Sequence, residues 1–256
     1  MRYPDRYAVD VTDTRGYDPE PEDFDGYDVV LNVAGITHIK EDRSNRDRYY
    51  SVNRDLAVSL AKASREGGVK QFITLSSMAV YGMTAGHITK QTGPDPNNAY
   101  GDSKLQADEA IRSLSDSHFR FVCLRPPMVY GRGCKGNYQR LRQFALTSPV
   151  FPSCRNQRSM LFIGNLCEFI KTSIDRESEG LFFPQNAEYV NTSEMVRQIA
   201  EQHGRRIIMP PAAQPLLGGI PVTTVKKVFG NLTYEKTDLV DQYGFRESIE
   251  LTEAES

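Results

Sequence analysis

Strand and helix patterns alternate along the first half of the chain, and this alternation constrains the fold more than any other feature. Residues 28–34 form a near-continuous apolar run closed by Gly35, which is typical of a strand buried on both faces of a parallel sheet. The alternation continues with predicted strands and helices, the strands over residues 7–12, 69–75 and 119–125 and the helices over residues 46–66 and 98–114. Because parallel strands are joined by right-handed crossovers, the sequence predicts an α/β fold with a doubly wound parallel sheet and helices on both faces.

The regular alternation of strand and helix patterns becomes less clear after about residue 131, where glycine, proline and arginine become more frequent. We therefore expect a sheet domain over residues 1–130 and a smaller, mixed α/β annex over residues 131–256, woven into the sheet domain rather than joined by a hinge. Within the annex the patterns predict helices near residues 136–146, 164–175 and 192–203 and a long loop over residues 209–230.

Charge and composition exclude several classes of protein. The chain has 31 basic and 33 acidic residues, a net charge of -2, which argues against a nucleic-acid partner. Apolar runs are far shorter than the roughly 18 residues that span a bilayer, and the first residues lack the apolar segment of a signal peptide. The four cysteines and four histidines show no metal-ligand spacing. We expect a cytoplasmic protein with reduced thiols, no membrane partner and no metal site.

Tyr100 and Lys104 stand four residues apart in the first turns of a predicted helix, so they share one helix face. The lysine ammonium favours the phenolate form of the tyrosine, and such a phenol can exchange a proton with an alcohol or a ketone near neutral pH. This spacing also occurs on solvated helix faces that carry no function. The neighbouring strand favours the chemical interpretation, because Ser76 and Ser77 follow its carboxyl end, where open α/β sheets bind ligands.

At this point the chain resembles the extended short-chain dehydrogenase/reductase family, in its NAD-dependent epimerase/dehydratase group. The motifs that carry the resemblance occur in the family's order and spacing, at residues 32–35 (NVAG), 49–53 (YYSVN), 75–82 (LSSMAVYG), 100–104 (YGDSK) and 124–131 (LRPPMVYG). The resemblance implies a Rossmann-like fold and a catalytic triad of Ser77, Tyr100 and Lys104. In that triad Tyr100 is the acid and base, and Lys104 supports it and binds the nicotinamide ribose.

The resemblance also implies a path for the cofactor. Ala34, Gly35 and Asn53 would line this path together with Ser76, Tyr100 and Lys104, and Pro126 would approach the nicotinamide. Asp13 matches the acid that binds the adenosine ribose hydroxyls, which favours NAD over NADP.

One part of the family pattern is absent from this sequence. A dinucleotide fold begins with a strand, a glycine-rich turn and a helix, and the ribose acid follows roughly 20 residues after the turn. Asp13 has only twelve residues before it, so we expect a sheet that lacks the family's first strand and helix, with that unit of roughly 25 residues upstream of Met1. The sequence at residues 131–136 fits GxGxxG literally, but it follows Pro-Pro and the catalytic helix, and we interpret it as a flexible loop on the substrate side.

The second half resembles the nucleotide-sugar branch of the family, especially UDP-N-acetylhexosamine 4-epimerases and 4-ketoreductases of surface-polysaccharide synthesis. By that resemblance Asn137 contacts the nucleotide, Arg158 binds the diphosphate, and Ser77 and Met128 face the sugar. The family often has asparagine where this chain has Met128, which puts one substrate contact in doubt.

Three functions remain open on the sequence. The first is an NAD-dependent epimerase acting at C4 of a UDP-sugar through a 4-keto intermediate. The second is an NAD(P)H-dependent 4-ketoreductase of a UDP-4-keto-6-deoxy-N-acetylhexosamine, which would use the same triad. The third is a non-catalytic relic that binds nucleotide sugars. The resemblance further implies a homodimer, with the helices at 46–66 and 98–114 as the candidate interface.

Overall fold

A central sheet of four parallel strands organises the computed structural model, which describes residues 5–37, 41–42, 45–211 and 229–254. In chain order the strands are β1 (Val29–Asn32), β2 (Gln71–Leu75), β3 (Gly86–Ile88), β4 (Arg120–Leu124), β5 (Met128–Tyr130), β6 (Met160–Phe162), β7 (Gly180–Phe182), β8 (Gln185–Asn186), β9 (Leu232–Tyr234) and β10 (Leu239–Val240). The central sheet has the order β1-β2-β4-β7. The other strands form three parallel pairs, β3 with β9, β5 with β6 and β8 with β10.

Helices lie close to each of the five predicted ranges, and one further helix, at residues 245–253, has no predicted counterpart. They are α1 (Arg46–Tyr50), α2 (Ala57–Glu66), α3 (Ala99–Arg112), α4 (Asn137–Thr147), α5 (Ile163–Asp175), α6 (Thr192–Gln202) and α7 (Phe245–Glu253). The predicted helix over residues 46–66 is present, but a π-helical turn, Ser51–Leu56, separates α1 from α2. Such turns are frequent at functional sites, and this one carries the buried Asn53.

Helices cover both faces of the central sheet, as the apolar strands require. On one face Phe72 of β2 and Phe121 of β4 pack in a cluster with α2 and α3. On the other face Ile73 and Val122, their neighbours along the same strands, pack with Leu166 of α5. This alternation buries each strand on two sides, and the predicted α/β doubly wound architecture is confirmed.

The second half of the chain adds a separate apolar cluster and also returns to the sheet. Tyr130, Tyr138, Met195 and Ile249 bring β5, α4, α6 and α7 together in that cluster. The strand β7, at residues 180–182, pairs with β4 in the central sheet. The region that we expect to hold the substrate therefore contributes one strand to the cofactor-side sheet.

The predicted strand over residues 7–12 is wrong, because those residues have no regular secondary structure. Val11 is 92% exposed and Val9 is 50% exposed, so their alternation buries no face. Within the described residues β1 pairs only with β2, and residues 7–12 lie beside it without joining the ladder. A strand needs a hydrogen-bonded neighbour as well as the right pattern.

The loop with the GxGxxG pattern, residues 131–136, lies between β5 and α4. Gly133 and Gly136 have φ values of 76° and 105°, in the region that favours glycine. The loop contains a turn closed by a hydrogen bond from Cys134 N to Gly131 O at 3.1 Å, and its substrate-side role stays a prediction. The predicted loop over residues 209–230 lies mostly outside the described residues.

Candidate active site

Three strands of the central sheet end at the same edge, and the predicted site residues follow these ends. Ala34 and Gly35 follow β1, Ser76 and Ser77 follow β2, and Pro126 follows β4. Two backbone hydrogen bonds tie the last two loops together, from Ser76 N to Leu124 O at 2.7 Å and from Met78 N to Pro126 O at 3.0 Å. The edge is therefore a rigid platform at the position where open α/β sheets bind ligands.

The turn after β1 is held by two buried asparagines. Asn32 accepts a hydrogen bond from the Ala34 backbone N at 3.0 Å. Asn53 accepts from the Ile36 backbone N at 2.8 Å and donates to the Ile36 carbonyl at 3.1 Å. These side-chain bonds replace the sheet ladder where the strand ends, and they fix the backbone at Gly35.

The polar ends of the Asn53 and Lys104 side chains both approach Gly35. A methyl group at this position would lie 3.1 Å from Asn53 Oδ1 and 3.1 Å from Lys104 Nζ. The glycine thus exposes backbone to two polar side chains at a distance that leaves no room for a side chain. Close approach of a ligand to backbone is one of the uses of glycine.

Lys104 is 6% exposed, and its Nζ donates a hydrogen bond to the Leu75 carbonyl at 2.9 Å. Burial lowers the pKa of Lys104, and the carboxylate of Asp108 opposes that effect. A buried ammonium needs such compensation, because desolvation disfavours its charged form.

Tyr100 and Ser77 are both half-buried at the mouth of this region. Tyr100 lies in the first turn of α3, where Asn98 caps the helix by accepting from Gly101 N at 2.9 Å. Its ring stands edge-to-face on Tyr49, with centroids 6.3 Å apart. Ser77 Oγ accepts from Ala79 N at 3.1 Å and so caps the short 3-10 helix Met78–Tyr81. The hydroxyl hydrogen of Ser77 stays available to donate.

Ser76 is buried, and its hydroxyl donates to Asp108 Oδ2 at 2.7 Å. The side chain therefore points into the core beneath the platform. Its assignment to the cofactor stays a prediction.

Asp13 lies apart from these residues, at the exposed edge of the sheet. It lines a cavity of about 300 Å³ that extends along β1 as far as Ala34. Its carboxylate pairs with Arg15 at 2.5 Å, and hydrogen bonds from Arg15 lower the pKa of Asp13. The cavity connects the predicted ribose acid with the turn that precedes Gly35.

The predicted substrate residues other than Ser77 lie from β5 onward. Met128 begins β5, opposite Met160 of β6, and Asn137 is exposed at the start of α4. Arg158 is half-buried and donates from Nη1 to the Gly230 carbonyl at 2.9 Å. Burial lowers the pKa of Arg158, and no carboxylate of the described residues forms an ion pair with it. A desolvated guanidinium without a counter-ion suits an anionic ligand.

Asp108 and Arg125 have no role in the predicted site, although Asp108 accepts the hydroxyl of Ser76 and pairs with Arg125. Asp108 follows Lys104 by four residues, so the spacing places them on one helix face. The four-residue spacing between Lys104 and Asp108 indicates that they are neighbours, just as the same spacing does for Tyr100 and Lys104.

Comparison with known proteins identifies the family of the chain. The sequence profile of the NAD dependent epimerase/dehydratase family matches residues 3–181. The chain belongs to this family. The resemblance drawn from the motifs is thereby confirmed, together with the NAD dependence that the family's description states.

Two curated relatives are 4-epimerases. A UDP-glucose 4-epimerase of Vibrio cholerae is 31% identical over 225 residues, which cover 84% of this chain and 66% of the relative. An N-acetyl-alpha-D-glucosaminyl-diphospho-ditrans,octacis-undecaprenol 4-epimerase of Escherichia coli O157:H7 is 28% identical over 238 residues, which cover 89% of this chain and 70% of the relative. The chain thus spans 66% of the first relative's length and 70% of the second's.

Solved structures share the fold. The UDP-glucuronic acid 4-epimerase from Bacillus cereus in complex with NAD superimposes with a TM-score of 0.71 at 17% identity and covers 91% of this chain and 74% of that one. MoeE5 in complex with UDP-glucose and NAD gives a TM-score of 0.68 at 17% identity, with 91% and 80% covered. A dTDP-4-dehydrorhamnose reductase from Bacillus anthracis in complex with NADP gives a TM-score of 0.67 at 16% identity, with 88% and 79% covered. The fold alone therefore does not separate epimerases from reductases.

The described residues lack two features, a helix that could span a membrane and a cluster of side chains that could hold a metal ion. None of their helices combines the length and the apolar character needed to cross a bilayer. The same residues contain no group of three or more histidine, cysteine or acidic side chains placed to hold a metal ion.

Proposed function

We propose that the chain is an NAD-dependent nucleotide-sugar 4-epimerase, acting at C4 of a UDP-sugar through a 4-keto intermediate, in the cytoplasmic synthesis of surface-polysaccharide precursors. The observation that carries this proposal is the convergence of Gly35, Asn53 and Lys104 at the carboxyl edge of the sheet, with Tyr100 on the same face of α3 as Lys104. Both curated relatives act, by their names, as 4-epimerases.

Two features fit a bound NAD. The space above Gly35 is bordered by the Lys104 ammonium and the Asn53 amide oxygen, and a single methyl group would fill it. The cavity along β1 reaches from Ala34 to the carboxylate of Asp13, which can accept hydrogen bonds from ribose hydroxyls. We assign Asp13, Ala34, Gly35, Asn53, Lys104 and Pro126 to hold the dinucleotide, which would supply reversible hydride transfer at the sugar C4.

The residues of the chain handle the proton. Tyr100 takes the proton of the sugar 4-hydroxyl as the C4–O bond becomes a carbonyl, and gives it back when the alcohol is restored, so the sugar gains and loses nothing overall. Ser77 donates its free hydrogen to the same oxygen and orients it. Lys104 shares the helix face of Tyr100, and its ammonium would bind the hydroxyls of the nicotinamide ribose.

The annex would hold the nucleotide. Arg158 offers a guanidinium fork that suits diphosphate oxygens, and Asn137 and Met128 border the nucleotide and sugar. The two relatives differ, by their names, in what the diphosphate carries beyond the sugar, a uridine in one and a polyprenol in the other. The sugar diphosphate is the part that their names share. We also propose a homodimer through the helical segment at residues 46–66 and α3.

The test is an incubation of the purified chain with NAD and UDP-N-acetylglucosamine or UDP-glucose, with sugar products resolved by proton NMR. We expect interconversion of the two C4 epimers without net formation of NADH, and its loss in Tyr100→Phe. Stoichiometric consumption of NAD(P)H with a 4-keto sugar would replace the epimerase by the 4-ketoreductase. Calorimetric binding of the UDP-sugar without binding of NAD or turnover would replace it by a nucleotide-sugar-binding protein without catalysis.

A further inference from the structure

A charged cluster is buried directly behind the predicted triad. Asp108 of α3 is 1% exposed and Arg125, which follows β4, is 3% exposed. Arg125 Nε lies 3.0 Å from Asp108 Oδ2. Taking two charges out of water is costly unless hydrogen bonds compensate for it, so a buried pair in this position suggests a specific role.

Asp108 links the cluster to the catalytic loop. The same oxygen, Oδ2, accepts the hydroxyl of Ser76 at 2.7 Å, and Ser76 precedes Ser77 in the chain. Arg125 extends the link, because its Nη1 donates to the Tyr81 hydroxyl at 2.9 Å, and Tyr81 ends the 3-10 helix that Ser77 caps. The pair therefore holds the loop that carries Ser77 at both of its ends.

Asp108 also faces Lys104 along α3, one helical turn away. The groups around the Lys104 ammonium are the Leu75 carbonyl at the end of β2, the Asn53 oxygen near Gly35 and the Cys123 thiol on β4. Asp108 adds a carboxylate to these surroundings. Its negative charge raises the pKa of Lys104 and so opposes the lowering caused by burial. Arg125 and Cys123 in turn face Asp108 from β4 and the residue after it.

We propose that Asp108 is a positioning residue for the proposed epimerase reaction: its carboxylate fixes the Ser76–Ser77 loop through Ser76 and Arg125 and lies one helical turn from the buried Lys104. The inference rests on the proposed function, because it assigns a task to Lys104 and Ser77. Asp108 itself lies beneath the platform and acts through these residues.

The first variant is Asp108→Asn, which keeps the size of the side chain and removes its charge. We expect kcat for epimerisation to fall at least about tenfold, because general acid–base catalysis depends on the lost arrangement, while KM for the UDP-sugar stays within about twofold because the substrate touches other residues. The basic limb of the kcat–pH profile should move to lower pH, since a lysine without its carboxylate loses the proton sooner. Asp108→Glu, which keeps the charge, should restore the position of that limb.

A second measurement follows Lys104 without turnover. Acetic anhydride acylates neutral amines, so the pH dependence of Lys104 acylation, read by peptide mass spectrometry, reports its protonation. We expect the midpoint to fall in Asp108→Asn relative to the wild type.

Glu253→Gln is the matched control, because Glu253 is another buried carboxylate that bonds several donors, in the annex. It should lower the stability while leaving the Lys104 midpoint and the shape of the kcat–pH profile unchanged. If Asp108→Asn behaves in the same way as this control, the inference is wrong. If Asp108→Asn does not fold, Ser76→Ala decides the loop part, and an unchanged kcat there overturns it. A wild-type protein without turnover would contradict the proposed function, and the acylation midpoint would still test the link between Asp108 and Lys104.

Discussion

At the scale of single residues, Gly35 leaves a space that any side chain would fill. Gly35→Ala places a methyl group 3.1 Å from both Lys104 Nζ and Asn53 Oδ1, so one of these must move. Strain of 1–3 kcal/mol is usual for such overpacking, and we expect NAD affinity to fall about tenfold, measured by isothermal titration. Gly93→Ala is the control, since nothing lies within 4 Å of the added methyl there. Equal affinities in the two variants would show that the cofactor does not pass over Gly35.

Residue spacing predicts the candidate site residues, but it does not predict the buried pair of Asp108 and Arg125 that lies behind them. Tyr100 and Lys104 are predicted together because residues four positions apart share a helix face. Ser77 is predicted because a buried strand ends just before it. The contact of Asp108 with Arg125 joins residues 17 positions apart on different elements, and it exists only once α3 packs on the sheet. Buried polar pairs of this kind leave no periodic signal.

At the scale of elements, Glu253 adds a buried polar attachment between α7 and the annex. Glu253 accepts hydrogen bonds from Tyr138 and Arg142 of α4, each at 2.7 Å, and its Oε2 lies 2.7 Å from Nε2 of His203, which follows α6. Burial raises the pKa of Glu253, but these partners outweigh it and hold the pKa below its usual value. A carboxyl group with a depressed pKa stabilises the fold above its unfolded pKa, and that contribution is lost as the pH falls through the folded pKa.

Glu253→Gln should therefore lower the free energy of unfolding by about 1–3 kcal/mol at pH 7. The difference from the wild type should shrink as the pH falls through the pKa of the folded carboxyl group, because the wild-type residue is then neutral as well. Urea unfolding between pH 7 and pH 3 measures this directly. A difference that stays constant over that range would mean that the charge of Glu253 contributes nothing.

Long elements were predictable and short ones were not. The strands at residues 29–32, 71–75 and 120–124 and the helices α2 to α6 fall within a few residues of their patterns. The paired strands outside the central sheet are two or three residues long, which is too short for an alternation to be recognised. The segment at 7–12 has the alternation and forms no strand, since the pattern records which side chains could be buried and not whether a neighbouring strand is present.

At the scale of the whole molecule, the predicted diphosphate ligand Arg158 lies apart in the chain from the predicted cofactor residues. Ala34, Gly35, Ser76 and Pro126 follow the ends of β1, β2 and β4, whereas Arg158 precedes β6 in the annex and bonds to Gly230. No hydrogen bond or ion pair among the described residues links Arg158 to Asn53 or Lys104. The two ligands should therefore bind through contacts that can be removed separately.

Arg158→Gln tests this separation. A hydrogen bond to a charged group contributes about 1.5–3 kcal/mol, so we expect the affinity for UDP to fall about 10- to 100-fold while the affinity for NAD stays within about twofold, both measured by calorimetry. Arg155→Gln is the control, because Arg155 is an exposed arginine three residues earlier. A parallel loss of both affinities in Arg158→Gln would mean that the arginine supports the fold around both ligands, through its bond to Gly230. A loss confined to UDP would assign the annex to the nucleotide sugar and leave the sheet edge to the dinucleotide.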